Sequence, residues 1–281
     1  MQKIIWISSY PKSGNTFLRS LIAAYFYCEG GLYKQNSLAH LPEYPRDYFK
    51  LEKGTNPLRE FSKYEEVQKS ISLNNRKFNF VKTHLANIKV NNIYYCINPL
   101  YTSCAIYIIR DPRNVLLSLR DHFQLSIKEA VDFFFKQSKI LQIKKLDKSK
   151  GFTPILDWGS NYESWKKDEK IKKYFVKYED LANHTEEIFI KILEFLQGFI
   201  SFHINKEFVK NAVDSTTFDK LQTLEQTSGF IEKEIMGLTR NHNIFFKKGK
   251  NRNFEEELSS ETINEIEKKY YLIMKNLNYL K

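Results

Sequence analysis

The apolar positions of this chain follow two rhythms. Short runs rich in β-branched and aromatic residues, Ile4–Ile7, Phe78–Val81, Ala105–Ile109 and Tyr174–Val176, each end in a polar or charged turn. Runs of this length without polar alternation predict strands covered on both faces, as in a parallel sheet. Between them the spacing changes to threes and fours, which predicts helices. Phe17, Leu18, Leu21, Ile22 and Tyr25 give the first, with Gly30-Gly31 expected to cap its end. Ile127, Val131, Phe134, Phe135, Ile140 and Leu141 place another over 126–146, and Trp158 to Trp165 opens a third. Asn183 with Glu186 reads as a capping box for Ile188, Phe189, Ile192, Leu193 and Leu196, with Gly198 ending that helix. A further helix starts near Asn205, and Ser259 or Ser260 caps the last, through Ile263, Ile266, Tyr270, Ile273 and Leu277. Residues 32–75, with Pro42, Pro45 and Pro57, read as irregular connections with short helices. No repeat, low-complexity block or linker divides the chain. The expectation is a single α/β domain over 1–281, a central parallel sheet flanked by helices.

In open α/β sheets, ligands lie beyond the carboxyl ends of the strands, and the chemistry-bearing residues gather there. After the first strand comes Tyr10-Pro11-Lys12-Ser13-Gly14-Asn15-Thr16-Phe17. Pro11 fixes the turn and Gly14 permits close approach of the backbone. The helix start behind it offers N–H groups and a positive dipole end, to which Lys12, Ser13 and Thr16 add donors. A phosphate-type anion fits this turn better than an ordinary strand–turn–helix corner does. The nucleoside triphosphate loop reads GxxxxGK followed by Ser or Thr, whereas here the lysine comes first, so the signature for magnesium and triphosphate is lacking. The second strand runs into Lys82-Thr83-His84. The third ends in Arg110-Asp111-Pro112, where Asp111 and Pro112 suit a helix start. Arg110 and Ser118 are placed to reach one anion, and an arginine fork suits a phosphate monoester. An ordinary Arg110–Asp111 surface pair is the other reading. Lys247-Lys248-Gly249 is either a flexible anion clamp or a basic surface loop. The six histidines show no metal-ligand spacing, and no metal is expected.

Composition adds a bias rather than an answer. The 281 residues are 42% hydrophobic and 27% charged, as in a globular protein. The net charge of +11 and pI near 9.3 favour anionic partners. A Lys-, Asn- and Ile-rich composition with solvated lysines accounts for that charge equally well. The basic runs 144–150 and 166–173 lack the aromatic interleaving of a nucleic-acid groove. Cys28, Cys96 and Cys104 are an odd number without a CxxC pair, which fits core residues in a reducing compartment. With no signal-peptide pattern and no apolar run of spanning length, the expected location is the cytoplasm.

Several of these segments resemble, in order, the motifs of the cytosolic-type sulfotransferases. YPKSGNT is similar to that family's YPKSGTTW, KTHL to KTHLP, and YIIRDPRNVLLSLRDHF to YxxRNxxDxxxSxxxHF, including the arginine-to-serine spacing. KYED, the Ser215–Phe218 element and GSNYESW also have family counterparts. The resemblance implies a P-loop-like fold that transfers a sulfuryl group from 3′-phosphoadenosine 5′-phosphosulfate (PAPS) to an acceptor hydroxyl, less readily an amine, of a small molecule, lipid or sugar. It makes His84, Lys12 and Lys82 the catalytic residues: His84 the general base, Lys82 its basic neighbour, and Lys12 the group that meets the charge on the leaving phosphate oxygen. Lys12, Ser13, Gly14, Asn15, Thr16 and Phe17 would hold the 5′-phosphosulfate, Arg110, Ser118, Lys247, Lys248 and Gly249 the 3′-phosphate, and Tyr178 and Phe218 the adenine. The chain departs from the pattern at Asn15 (threonine), Phe17 (tryptophan) and Ala86 (proline). In KKGKNRNFE, Lys247 stands for the arginine of RKGxxGxWK, Arg252 for its second glycine and Phe254 for its tryptophan. The dimer motif KxxxTVxxxE has no counterpart, leaving oligomeric state open. The rival readings are a nucleotide kinase-like P-loop phosphotransferase and a non-enzymatic polyanion-binding module. Neither explains separated motifs in order.

Overall fold

The computed structural model describes residues 3–45, 47–48, 61–74, 76–135, 153–228, 246 and 252–280. Its strands are β1 (Ile4–Ser9), β2 (Glu43–Tyr44), β3 (Phe80–Thr83), the antiparallel pair β4 (Lys89–Val90) and β5 (Tyr94–Tyr95), β6 (Thr102–Ile109) and β7 (Lys173–Lys177). Its α-helices are α1 (Asn15–Tyr27), α2 (Tyr64–Ser72), α3 (Pro112–Phe123), α4 (Ile127–Phe135), α5 (Trp158–Lys167), α6 (Tyr178–Asn183), α7 (Thr185–Gln197), α8 (Lys206–Ser215), α9 (Phe218–Ser228) and α10 (Ser260–Asn276). The main sheet runs β2-β3-β1-β6-β7 with every neighbouring pair parallel. The expected single α/β layer structure is what forms.

Successive side chains of a strand point to opposite faces, and here both faces are buried. Trp6 enters one core with Val81, Tyr107 and Ile109, covered by α2, α3, α4, α5 and α10. Ile5 and Ile7 enter the other with Phe80, Ile106 and Ile108, covered by α1, α6, α7, α8 and α9. Two-sided burial is why these strands lack polar alternation. Cys28, Cys96 and Cys104 are unoxidised and buried in this packing, and burial pushes the Cys96 and Cys104 thiols up to about 12. No helix among the described residues is long and apolar enough to cross a membrane.

Four boundaries differ from the sequence reading. The second strand is Phe80–Thr83 rather than 78–81, because β1 pairs Ile5 with Phe80 through Ser8 with Thr83. Lys82 therefore lies within the strand, and His84 is the first residue past it. The region 32–75 holds the two-residue strand β2, which pairs Glu43 with Lys82 and is too short to show any periodicity. Asn183 does not cap α7: it ends α6, and His184 stands at the junction without a side-chain cap. α1 ends at Tyr27 with extended Cys28 as its cap, and Gly30 and Gly31 form the turn that follows. The remainder of the helix expected over 126–146 lies outside the described residues.

Candidate active site

The turn after β1 is built around two residues with positive φ, Lys12 at 67° and Gly14 at 98°. Gly14 is the N-cap of α1, and no side chain caps that helix. The first-turn N–H groups and the positive end of the helix dipole thus face the turn, the arrangement that favours an anion. Ser13 is fully buried, and its hydroxyl finds no hydrogen-bond partner among the described residues. A buried hydroxyl of this kind is normally satisfied, so a phosphate-type oxygen fits the cradle. Gly14 has a second reason to be glycine. A Cβ there would sit 2.3 Å from Cδ2 of Tyr178, so the close approach is to that ring. Phe17 packs half-buried against the core on the α1 side, and Thr16 is buried.

His84 leaves β3 beside this turn. Its Nδ1 lies 2.8 Å from the Ser9 carbonyl oxygen and 3.3 Å from Ser9 Oγ. Its own carbonyl accepts from Asn161 Nδ2 (3.1 Å), and the next carbonyl, of Leu85, accepts from the Trp165 indole (2.9 Å). Asn161 and Trp165 stand one helical turn apart on one face of α5. The GSNYESW segment therefore serves to hold the His84 loop. Lys82, expected beside His84 at the mouth, is buried and ion-paired with Glu43 at 2.9 Å.

The end of β6 supplies Arg110. Its NH1 donates to the Lys12 carbonyl (3.4 Å), and its guanidinium lies 4.4 Å from the centroid of the Tyr178 ring. Tyr178 is the first residue of α6, directly after β7, and burial raises its hydroxyl against the pull of Arg110. Asp111 caps α3 by accepting from Arg113 N–H (2.9 Å) and binds the Arg113 side chain. The backbone N–H of Asp111 donates to Glu179 (3.0 Å), whose other oxygen accepts from the Tyr279 hydroxyl (3.0 Å). The Arg110 turn is thus braced by the chain's last described residues, a contact that no local signal announced. Ser118 stands half-buried two turns into α3.

Lys247, Lys248 and Gly249 lie outside the described residues. Phe246 before them is buried edge-on against Phe218 (5.9 Å between centroids), and its N–H donates to Glu225 (2.9 Å). Phe218, assigned to adenine from the motif, therefore packs on Phe246. Beyond those residues, Arg252 binds Asp121 of α3 and Glu257, and Arg113 stacks 4.0 Å from the Phe254 ring. Arg252 and Phe254 occupy the positions where the motif has glycine and tryptophan. Among the described residues no three His, Cys, Asp or Glu side chains converge as a metal site.

The Lys12 turn, His84 and Arg110 thus meet at the carboxyl ends of three adjacent strands, β1, β3 and β6. Known proteins share this architecture. Mouse sulfotransferase SULT7A1, solved complexed with PAP, superimposes with a TM-score of 0.61 at 19% identity, over 99% of this chain and 85% of that one. Retinol dehydratase, solved in a complex with retinol and PAP, gives 0.63 at 16% identity, over 98% and 82%. The same enzyme in complex with androsterone and PAP gives 0.58 at 16%, over 97% and 80%. No curated protein matches the chain in sequence. The model of the sulfotransferase domain matches residues 2–278, nearly the whole length. The chain belongs to the sulfotransferase family and is an enzyme of that class.

Proposed function

We propose that the protein transfers a sulfuryl group from PAPS to the hydroxyl, less readily the amine, of a small-molecule, lipid or sugar acceptor. Family membership supports PAPS as co-substrate. The observation that carries the reading is the convergence of two cationic turns and a histidine at the carboxyl ends of the three inner strands. The nucleotide supplies a sulfuryl group activated by a phosphate leaving group. His84 takes the proton of the acceptor hydroxyl as it attacks. Lys12 and the backbone N–H groups of residues 13–16 meet the charge that grows on the departing oxygen. Arg110, Ser118, Lys247, Lys248 and Gly249 hold the second phosphate. Tyr178 and Phe218 border the base, each with its protein neighbour already in place. Lys82, ion-paired with Glu43, is the basic neighbour of His84 in the strand behind it.

The experiment is an acceptor screen by mass spectrometry with PAPS, after a thermal-shift measurement with 3′-phosphoadenosine 5′-phosphate (PAP). Stabilisation by PAP and sulfate-dependent mass gain on a hydroxyl compound are expected. Stabilisation by magnesium-ATP without any by PAP would overturn the reading in favour of phosphoryl transfer. Steeply salt-dependent retention on polyanions without nucleotide selectivity would overturn it in favour of a binding module.

A further inference from the structure

The residue that follows Arg110 works against an anion site. The sulfotransferase motif reads Arg-Asn here and places its aspartate later, whereas this chain has Asp111 first and Asn114 second. Capping α3 does not require the charge, since asparagine and aspartate cap a helix about equally well. The aspartate adds a carboxylate one peptide from Arg110, in the turn assigned to the second phosphate. Such a carboxylate can pair with Arg110 or repel the ligand.

Arg113 answers both. Asp111 Oδ1 accepts from the Arg113 backbone N–H and from its Nε, each at 2.9 Å. Asp111 Oδ2 accepts from Nη2 at 2.6 Å and from Nε at 3.2 Å. Both carboxylate oxygens are thus engaged by one fork, the two-point geometry in which arginine binds carboxylates most firmly. The fork is fixed on its other sides as well. Nη1 donates to Glu267 of α10, Nη2 donates to the Tyr279 carbonyl (2.8 Å), and the Phe254 ring centre lies 4.0 Å from the guanidinium. Asp111 and Arg113 are 5% and 7% exposed, so salt screens their charges little. Glu179, the other carboxylate of this turn, accepts from the Asp111 N–H and the Tyr279 hydroxyl, neither of which cancels its charge.

We infer that Arg113 is a positioning residue for the second-phosphate site: it holds and neutralises the Asp111 carboxylate, so that Arg110 meets a phosphate rather than its own neighbour. This rests on the proposed function, because it concerns affinity only if Arg110 binds that phosphate. The reversed order of Asp and Asn then has a condition: the aspartate is tolerated beside Arg110 because an arginine close behind takes its charge.

The test is a double-mutant cycle of Asp111→Asn and Arg113→Met, read by titration calorimetry with PAP and adenosine 5′-phosphate on the full chain. Methionine keeps a long side chain against Phe254 and removes the charge. Arg113→Met should weaken PAP by about tenfold and adenosine 5′-phosphate by about twofold or less, the gap narrowing as salt is raised. Adding Asp111→Asn, which keeps the cap but not the charge, should return PAP to within about threefold of wild type. A residue that merely tied its neighbours together would not be rescued by the loss of a further contact. A double variant as weak as Arg113→Met, or weaker, would therefore overturn the inference, as would equal losses for both nucleotides. Breaking a buried pair is strongly destabilising. Should Arg113→Met fail to fold, Asp111→Asn alone decides: with Arg113 no longer offset, PAP should bind about threefold tighter than to wild type. Unchanged or weaker binding would overturn the inference. A wild-type chain with no preference for PAP over adenosine 5′-phosphate would instead remove the second-phosphate reading of Arg110, and this inference with it.

Discussion

The Arg110 guanidinium lies 4.4 Å from the centre of the Tyr178 ring while its NH1 donates to the carbonyl of Lys12. One side chain thus joins the ends of β1, β6 and β7. The ring and the carbonyl fix the plane of the fork before any ligand arrives, and a preset fork loses less freedom on binding a phosphate. Arg110→Lys keeps a positive charge but not the fork. It should weaken PAP by about tenfold or more while changing adenosine 5′-phosphate little. Titration calorimetry with both nucleotides checks this, and equal losses would separate Arg110 from the second phosphate.

Gly14 tests the loop from the other side. Its φ of 98° disfavours any side chain, and an added Cβ would meet Tyr178 at 2.3 Å. Gly14→Ala should cost about 1–3 kcal/mol of stability and more in nucleotide affinity. Tyr178→Ala in the same chain should return the steric part but not the backbone part. A double-mutant cycle by urea unfolding measures the coupling, and strict additivity would mean that the ring and the glycine do not compete for one space.

His84→Ala should lower kcat by about 100-fold or more, with PAP affinity nearly unchanged. Single-turnover measurement on the acceptor found by screening decides it. Normal turnover would remove His84 from proton transfer.

Glu179 gives a pH dependence of known sign. Burial raises its carboxyl above the ordinary 4.5, against the bonds from Asp111 N–H and Tyr279 O–H. A folded-state value above the unfolded one means stability that is full below about pH 4.5 and is lost as pH rises through the raised value. Glu179→Gln cannot ionise, so its unfolding free energy minus that of wild type should increase from about pH 4.5 towards 7.5. Urea melts across this range check it, and a difference that stays flat or falls would contradict it.

The strand ends were legible because their signals are local. β1 and its turn, and Arg110 with the Asp111 cap and Pro112, each occupy a few consecutive residues whose chemistry is read directly. What joins them was not legible. Ser9 and His84 are 75 residues apart, and Tyr279 and Glu179 are 100 apart, and no periodicity links such pairs. β2 escaped because two residues carry no pattern, and that hid the Glu43 partner of Lys82. Asn183 carried a true capping signature, but the chain passes from α6 to α7 through one residue and uses His184 instead. Asn161 and Trp165 were visible as a motif, yet only the three-dimensional contact shows that they hold the carbonyls of His84 and Leu85.

The central claim is that the site reads a nucleotide with two separate anionic groups, one at the Lys12 turn and one at Arg110. Titration calorimetry comparing PAP, adenosine 5′-phosphate and magnesium-ATP on the wild-type chain tests it most directly. The account predicts that PAP binds tightest, by about tenfold or more over either competitor. Magnesium-ATP binding as tightly as PAP or tighter would contradict it.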